Sequence, residues 1–252
     1  MKILILLYTI TAAMMSGCAG DSSGSISSVS PNAGSGVGGS LARFTIAKNN
    51  LYVVDSRSLK VFGISDATNP NFIGNVGINA YVETIFPFKD NLLIGTRTGV
   101  YIFSLSQPEK PTQAGYFQHF ASCDPVVADG NYAYFTLRTG TPCQRGQNQL
   151  GVLDITQVSN PRLLKSIQMI NPHGLGVSGN VLFVTEGESG LKVFDRTNPV
   201  ELKEIKFMKD IKSVDVIPLS NRLIVTGKDG VYQYEYTDKG ELTLLSKMAV
   251  EL

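Results

Sequence analysis

The chain has 252 residues, enough for one all-β domain with a substantial core, and its 22 Lys and Arg nearly balance its 21 Asp and Glu. This balance leaves no basic field of the kind that attracts nucleic acid, so nucleic-acid binding is disfavoured. Tryptophan is absent, which removes the commonest stacking platform for sugars, although 10 Tyr and 12 Phe can partly replace it.

The first 17 residues have the pattern of an export signal. Lys2 is followed by an apolar run from Ile3 to Met15 and by small residues before Cys18. The run is too short for a convincing membrane span. Met15-Ser16-Gly17-Cys18 resembles a bacterial lipobox, which implies cleavage before Cys18 and acylation (palmitate) of its sulfur. The alternative is an ordinary signal peptide cleaved nearby, with Cys18 incidental.

Residues 18–40 are dominated by Ser and Gly and show no apolar periodicity, so we predict a flexible tether. Ala19 follows the cysteine where an aspartate would imply inner-membrane retention in the lipoproteins that the segment resembles. The resemblance therefore implies a lipid anchor in the outer membrane, on its periplasmic face or at the cell surface.

Residues 41–252 repeat one unit five times. In the clearest copy, a Gly179-Asn180 turn precedes two strands with alternating apolar residues, and Asn198-Pro199 breaks the chain before a further strand. The asparagine recurs at intervals of 41, 40, 49 and 41 residues, as Asn50, Asn91, Asn131, Asn180 and Asn221.

Four strands in about 40 residues indicate a propeller blade, because one such sheet has two apolar faces that neighbouring blades must bury. We therefore predict an all-β fold, a five-bladed β-propeller of four-stranded antiparallel blades with almost no helix. The predicted blades are approximately 41–80, 81–120, 121–170, 171–210 and 211–252. Blade 5 supplies its own outer strand from Glu241 to Leu245, and apolar packing between the first and last blades is expected to close the ring.

Three phrases carry a family resemblance: LYVVD from Leu51, GVLDI from Gly151 and GLKVFD from Gly190, each followed by an Asn-Pro break. They resemble the LVIVD repeat family of bacterial propeller lipoproteins, over Leu41 to about Val250. The resemblance implies a propeller fold and a cell-surface address, and it implies no enzymatic activity.

The third unit is longer because residues Arg138 to Gln149 form a connection between its second and third strands. Cys123 and Cys143 flank the first two strands of this unit, and two spare cysteines in an exported protein pair by default. We predict a disulfide between them that holds the loop. His119 and His173 are the only histidines and have no ligand-type spacing, so no metal and no cofactor is predicted.

Polar residues stand at the start of each inner strand and are expected to ring one mouth of the channel: Arg43, Glu83, Asp124, His173 and Ser213. The loops after each second strand come to the same face and add Asp55, Arg57, Arg97, Arg138, Arg145, Glu186, Glu188, Lys228 and Asp229. From these sets the candidate ligand-binding residues are Arg43, Glu83, Arg97, Asp124, Arg138, Arg145, His173 and Glu186. The alternative is that these residues have no binding role and are polar only because strand ends face solvent.

The sequence favours a binding or scaffold module for a protein, a glycan or a small polar ligand, and an anionic ligand is expected on the side of the third and fourth blades. The alternative is a hydrolase or lyase that uses the channel-mouth carboxylates and His173, with Asp124 as its acid–base partner. Catalysis requires these side chains to converge on one site, whereas a binding face can spread over several loops. The sequence has no nucleophile elbow, phosphate-binding loop or zinc-protease motif.

Overall fold

A computed structural model describes residues 39–119, 125–140 and 147–250. All the named secondary-structure elements within these ranges are β-strands. None of the described segments is a helix with the length and hydropathy of a membrane span. Five of the predicted functional residues lie outside the described ranges: Cys18, Cys123, Asp124, Cys143 and Arg145.

The strands form five four-stranded antiparallel sheets, each a meander in which consecutive strands pair. Blade 1 contains β1 (Phe44–Ala47), β2 (Asn50–Val54), β3 (Ser58–Gly63) and β4 (Asn71–Gly77). Blade 2 contains β5 (Val82–Phe88), β6 (Asn91–Thr96), β7 (Gly99–Ser104) and β8 (Thr112–Gln118). Blade 3 contains β9 (Val126–Asp129), β10 (Tyr132–Leu137), β11 (Gln149–Asp154) and β12 (Arg162–Gln168). Blade 4 contains β13 (Leu175–Ser178), β14 (Val181–Thr185), β15 (Leu191–Asp195) and β16 (Lys203–Met208), and blade 5 contains β17 (Asp215–Pro218), β18 (Arg222–Gly227), β19 (Gly230–Tyr236) and β20 (Leu242–Ala249).

The predicted fold is therefore confirmed, including an outer strand that blade 5 supplies for itself. The repeated asparagines stand at the hairpin between the first and second strands, as Asn50 does at the start of β2. The proline breaks lie between the third and fourth strands, as Asn69-Pro70 lies between β3 and β4. In every blade a bulge interrupts the pairing of these last two strands, which increases the local twist of the outer strand.

Neighbouring blades pack face to face through four apolar clusters. Tyr52 of blade 1 belongs to a cluster with Ile94 of blade 2, and Ile102 of blade 2 belongs to the next cluster, with blade 3. Two further clusters join blade 3 to blade 4 and blade 4 to blade 5. Blades 2, 3 and 4 are thus buried on both faces.

The seam between blade 5 and blade 1 differs from the prediction. Among the described residues, none of the four apolar clusters joins these two blades. Phe44 on β1 is 62% exposed and Met248 on β20 is 64% exposed. The sequence pattern shows that the strands are rich in apolar residues, but it does not show which faces another blade covers.

A short segment, residues 39–42, approaches blade 5 in place of that core; we call it the N-terminal arm. Ser40 is 1% exposed, its Oγ donates to Asp215 Oδ1 over 3.1 Å, and it accepts from the backbone N of Leu175 over 2.7 Å. The carbonyl of Ala42 accepts from the N of Ile85 in blade 2, 2.9 Å away. The composition of the segment predicts that Gly39 and Ser40 belong to the flexible tether, but both residues are buried in the structure. The sequence could not indicate this, because Asp215, the partner of Ser40, lies 175 residues further along the chain.

Candidate functional site

One end of the propeller, which we call the loop face, carries the candidate residues. The inner strands β1, β5, β9, β13 and β17 all begin at this end, and the connections from second to third strands return to it. Because these connections are free to vary while the blades hold them in place, the loop face is where a propeller builds ligand sites.

A pocket of about 390 Å³ lies on the loop face, across blades 3, 4 and 5. Blade 3 contributes Arg138, at the start of the long connection after β10, and blade 4 contributes His173 and Glu188. Blade 5 contributes Lys212 and Lys228. The structure therefore brings together two of the predicted site residues, Arg138 and His173, on neighbouring blades.

His173 is held by its backbone and contacted by a cation. Its N–H donates to the carbonyl of Thr185 over 2.8 Å, and its carbonyl accepts from Thr136 Oγ1 over 2.6 Å. The Nη1 atom of Arg138 lies 2.9 Å from Nε2 and 3.0 Å from Nδ1 of the imidazole.

These surroundings fix the charge of the ring. Burial, with smaller contributions from Arg138 and Lys228, lowers the pKa of His173 to about 4, and burial also lowers the pKa of Arg138. At neutral pH the imidazole is uncharged, so its unprotonated nitrogen can accept a hydrogen bond from Arg138 or from a ligand.

Two lysines share one carboxylate at the blade 5 side of the pocket. Lys212 Nζ lies 3.0 Å from Glu188, and Lys228 Nζ lies 2.9 Å from it. These hydrogen bonds lower the pKa of Glu188, first through Lys228, and the bond to Glu188 raises the pKa of Lys212. Two cations around one carboxylate leave an excess positive charge at this edge of the pocket.

The other predicted residues form a separate cluster on blades 1 and 2. Arg97 Nε donates to Glu83 Oε1 over 2.9 Å, and Arg43 Nη2 donates to the carbonyl of Val82 over 3.4 Å. The guanidinium carbons of Arg57 and Arg97 lie 4.5 and 4.8 Å from the ring centre of Tyr81. None of these residues lines the pocket around His173.

Two polar residues of the predicted loop-face set have structural partners instead. Glu186 is fully buried and accepts from the backbone N of Ile170 and Asn171 over 3.2 and 2.6 Å. Ser213 is fully buried and its Oγ donates to the carbonyl of Gly190 over 2.5 Å. We therefore leave both out of the proposed ligand set.

Sequence reasoning missed Lys212 and Asp215. Lys212 lies one residue before Ser213, which the sequence analysis placed at the channel mouth. Including the residues next to each predicted channel-mouth position would therefore have found Lys212. No local signal points to Asp215, because its partner Ser40 lies in a segment with the composition of a tether.

The fold is that of a β-propeller, and comparison with known proteins identifies its repeat. A family model described as LVIVD repeat matches residues 38–77, the segment that contains blade 1, and so bears out the resemblance to this repeat there. No curated protein matches the chain.

Solved structures similar to the chain show the same fold. A protein from Lactobacillus plantarum aligns with a TM-score of 0.66 at 17% identity, over 79% of this chain and 67% of its own. The periplasmic gluconolactonase PpgL of Pseudomonas aeruginosa aligns with a TM-score of 0.63 at 16% identity, over 80% of this chain and 68% of its own. The computationally designed protein Ika8 aligns with a TM-score of 0.58 at 14% identity, over 81% of this chain and 60% of its own. At these identities the likeness establishes the fold and carries no activity over.

Proposed function

We propose that this chain is an exported lipoprotein whose propeller is a binding module for a small anionic ligand or an anionic group on a larger partner. The pocket around His173 carries the proposal. Two lysines that share one carboxylate, together with a neutral imidazole and a guanidinium, suit carboxylate or phosphate oxygens, since these accept several hydrogen bonds at once. The anchor at Cys18 and the outer-membrane address rest on the lipobox-like sequence.

The contacts favour binding over the hydrolase or lyase alternative. Of the described channel-mouth carboxylates, Glu83 pairs with Arg97 and Glu186 accepts from backbone N–H groups, and neither lines the pocket of His173. Glu188 does line that pocket, but its two carboxylate oxygens pair with Lys212 and Lys228, so it is not placed as the orienting carboxylate that a general base needs.

Ligand binding to the native state should be visible as thermal stabilisation. The full chain in detergent is titrated with citrate and with inorganic phosphate at constant ionic strength, and its melting temperature is followed. We expect a saturable rise for the wild type and a rise reduced severalfold for the Lys212→Gln and Lys228→Gln variants. Lys206→Gln, on the exposed outer strand β16, should behave as wild type because it is remote from the pocket.

Equal responses of all four proteins would refute the proposed site. A response that the pocket variants lose, accompanied by turnover of lactone or ester probes that His173→Gln abolishes, would favour the enzyme alternative instead.

A further inference from the structure

A second cavity lies at the end of the propeller opposite the loop face, between blades 1 and 2. We call this end the turn face and the cavity the turn-face pocket. Blade 1 contributes the Lys48-Asn49 hairpin turn, Ser65, Asn71 and Ile73, and blade 2 contributes residues 107–110 of the connection from β7 to β8. The volume of the cavity is about 600 Å³, against about 390 Å³ for the pocket on the loop face. Ligand-binding pockets commonly measure about 300 to 1,000 Å³, so the cavity has the size of a small-molecule site.

The junction of blades 4 and 5 has a smaller cavity at the same place, with a volume of about 330 Å³. The strand pairing aligns three lining residues of blade 4 with Gly63, Ser65 and Ile73 of blade 1: Asp195, Thr197 and Ile205. Asp195 has a carboxylate where Gly63 has no side chain. The missing side chain accounts for part of the larger volume between blades 1 and 2.

Gly63 differs from the residues at its position in all the other blades. The pairing registers and bulges align it with one polar residue in each of them: Ser104, Asp154, Asp195 and Glu235. Asp154 and Asp195 accept from the backbone N two residues further on, over 2.9 and 2.8 Å, so each carboxylate caps the connection that follows it. Gly63 does not have a positive φ, so the backbone does not require a glycine there. What the glycine provides is space.

The side-chain amide of Asn71 uses this space. Its Oδ1 lies 2.7 Å from the point where a Cβ on Gly63 would stand, so a side chain at position 63 would push the amide away. Within the part of the chain that the structure describes, neither Asn71 nor Gln107 has a hydrogen-bond partner for its side-chain amide. Each of these amides carries donors and an acceptor that a ligand can engage.

Turns hold the other polar groups of the pocket in place. Lys48 and Asn49 both have positive φ angles, of 48° and 60°, as in a two-residue hairpin turn of type I′. Asn49 Nδ2 donates to Ser65 Oγ over 3.2 Å, which joins the two turns of blade 1 that border the pocket. On blade 2, the carbonyl of Pro108 accepts from Tyr52 Oη over 2.8 Å. A ligand would therefore meet groups that are already positioned, which lowers the cost of ordering them on binding.

The charges around the turn-face pocket balance. Lys48 Nζ lies 2.5 Å from Asp90 Oδ1, and Glu109 and Lys110 bring opposite charges from adjacent positions. The pocket on the loop face, by contrast, has an excess of positive charge at its blade 5 side. An uncharged ligand with several hydrogen-bonding groups therefore fits the turn-face pocket better than an ion does.

We propose that the turn-face pocket binds an uncharged oligosaccharide. Sugar hydroxyls both donate and accept hydrogen bonds, and the amides of Asn71 and Gln107 and the hydroxyl of Ser65 offer both functions in return. In place of an aromatic ring, Ile73 and Pro108 offer half-buried apolar surface to the C–H groups of a sugar ring. An extended peptide is less well suited, because it would bind along the edge of an outer strand, whereas Asn71 and Ile73 line the face of β4 that points to blade 2.

Binding of the full chain in detergent to a printed array of uncharged oligosaccharides, sialylated and sulfated glycans, and uncharged peptides tests the proposal. We expect the wild type to bind a subset of the uncharged oligosaccharides. Gly63→Asp should weaken this binding at least tenfold, because the added carboxylate enters the pocket and displaces the amide of Asn71. Ser104→Asp is the matched control, since it adds the same charge at the same repeat position of blade 2, outside the pocket, and it should bind as wild type.

Gly63→Asp should keep the wild-type circular dichroism and melting temperature, because blades 3 and 4 carry an aspartate at this position. Gln107→Ala is a second test that adds no bulk: it removes an amide from an exposed connection and should weaken binding severalfold. A wild type that binds no uncharged oligosaccharide, or that prefers the acidic glycans or the peptides, would overturn the proposal. Equal binding by the wild type and both pocket variants would do the same, as would an equal loss in Ser104→Asp.

Discussion

At the scale of single residues, two half-buried titratable groups near the loop face respond to pH in opposite directions. Burial raises the pKa of Asp215 to about 6, against the opposing hydrogen bonds of Val216 and Ser40, whereas burial lowers the pKa of His173 to about 4. The folded state therefore prefers both groups uncharged. Neither effect can be found in the sequence, because burial depends on blades that are distant along the chain.

Asp215→Asn should remove one of these pH dependences. Because the folded-state pKa of Asp215 is raised, its stabilising contribution is complete below its unfolded pKa of about 3.9 and is lost as the pH rises through about 6. By linkage this loss is at most about 3 kcal/mol. Relative to wild type, the variant should gain free energy of unfolding between pH 4 and pH 7, measured by urea denaturation at each pH.

Only the difference between variant and wild type isolates Asp215, because His173 contributes the opposite slope between its unfolded and folded pKa values. Asp66→Asn provides a contrast of opposite sign, since hydrogen bonds from Thr68 lower the pKa of that exposed carboxyl. A pH-independent difference between Asp215→Asn and wild type would contradict the buried-carboxylate account.

At the scale of elements, tyrosine hydroxyls tie neighbouring blades together at the end opposite the loop face. Tyr236 Oη donates to the carbonyl of Leu219 over 2.7 Å and lies 2.7 Å from Ser178 Oγ of blade 4. Tyr52 Oη donates to the carbonyl of Pro108 in blade 2 over 2.8 Å. These bonds add directional contacts to blade packing that is otherwise apolar.

Tyr236→Phe keeps the buried ring, which packs edge-on against Phe183, and removes only the hydroxyl. Two hydrogen bonds are lost, so we expect the free energy of unfolding to fall by about 1 to 2 kcal/mol in urea denaturation. Tyr116→Phe is the matched control, because its hydroxyl donates to the carbonyl of Thr98 at an exposed site. An equal, small effect of both substitutions would show that the hydroxyl of Tyr236 does not hold blades 4 and 5 together.

The elements themselves could be predicted well because each blade repeats the same local signals. Asparagine turns mark the connection between the first and second strands, and Pro or Gly breaks mark the connection between the third and fourth strands, and both signals fall at those connections in the structure. The site could be predicted only in part. Counting along the repeat placed Arg138 and His173 on one face, but the division between their pocket and the Glu83–Arg97 cluster depends on side-chain pairing that no periodicity encodes.

The long connection of blade 3 gives a further prediction at this scale. If Cys123 and Cys143 form a disulfide, mass spectrometry of unreduced, protease-digested protein should recover a linked pair of peptides that disappears on reduction. Arg138 begins this connection, so the bridge should also hold the loop beside the pocket of His173. Cys123→Ala should then weaken citrate-dependent stabilisation by severalfold. Recovery of both cysteines as alkylated free thiols from unreduced protein would exclude the disulfide.

At the scale of the whole molecule, the five sheets of the described residues share four apolar junctions, and none of these joins blade 5 to blade 1. Stability in such an array is approximately a sum of blade terms and nearest-neighbour junction terms. An open seam therefore costs one junction without weakening the other four directly. This explains how a chain with uncovered Phe44 and Phe72 can still hold blades 2, 3 and 4 fully packed.

The proposed membrane location of the protein depends on acylation of Cys18. If this cysteine is acylated, full-length protein should incorporate labelled palmitate and stay with the membrane fraction after a carbonate wash, since more than one acyl chain is needed for stable anchoring. Cys18→Ala should lose the label completely and leave the chain unprocessed or released in soluble form. Cys143→Ala should keep both label and membrane partition, which separates acylation at Cys18 from a general effect of removing a thiol. A Cys18→Ala chain that is still processed, labelled and membrane-bound after the wash would show that the propeller reaches the membrane by another route.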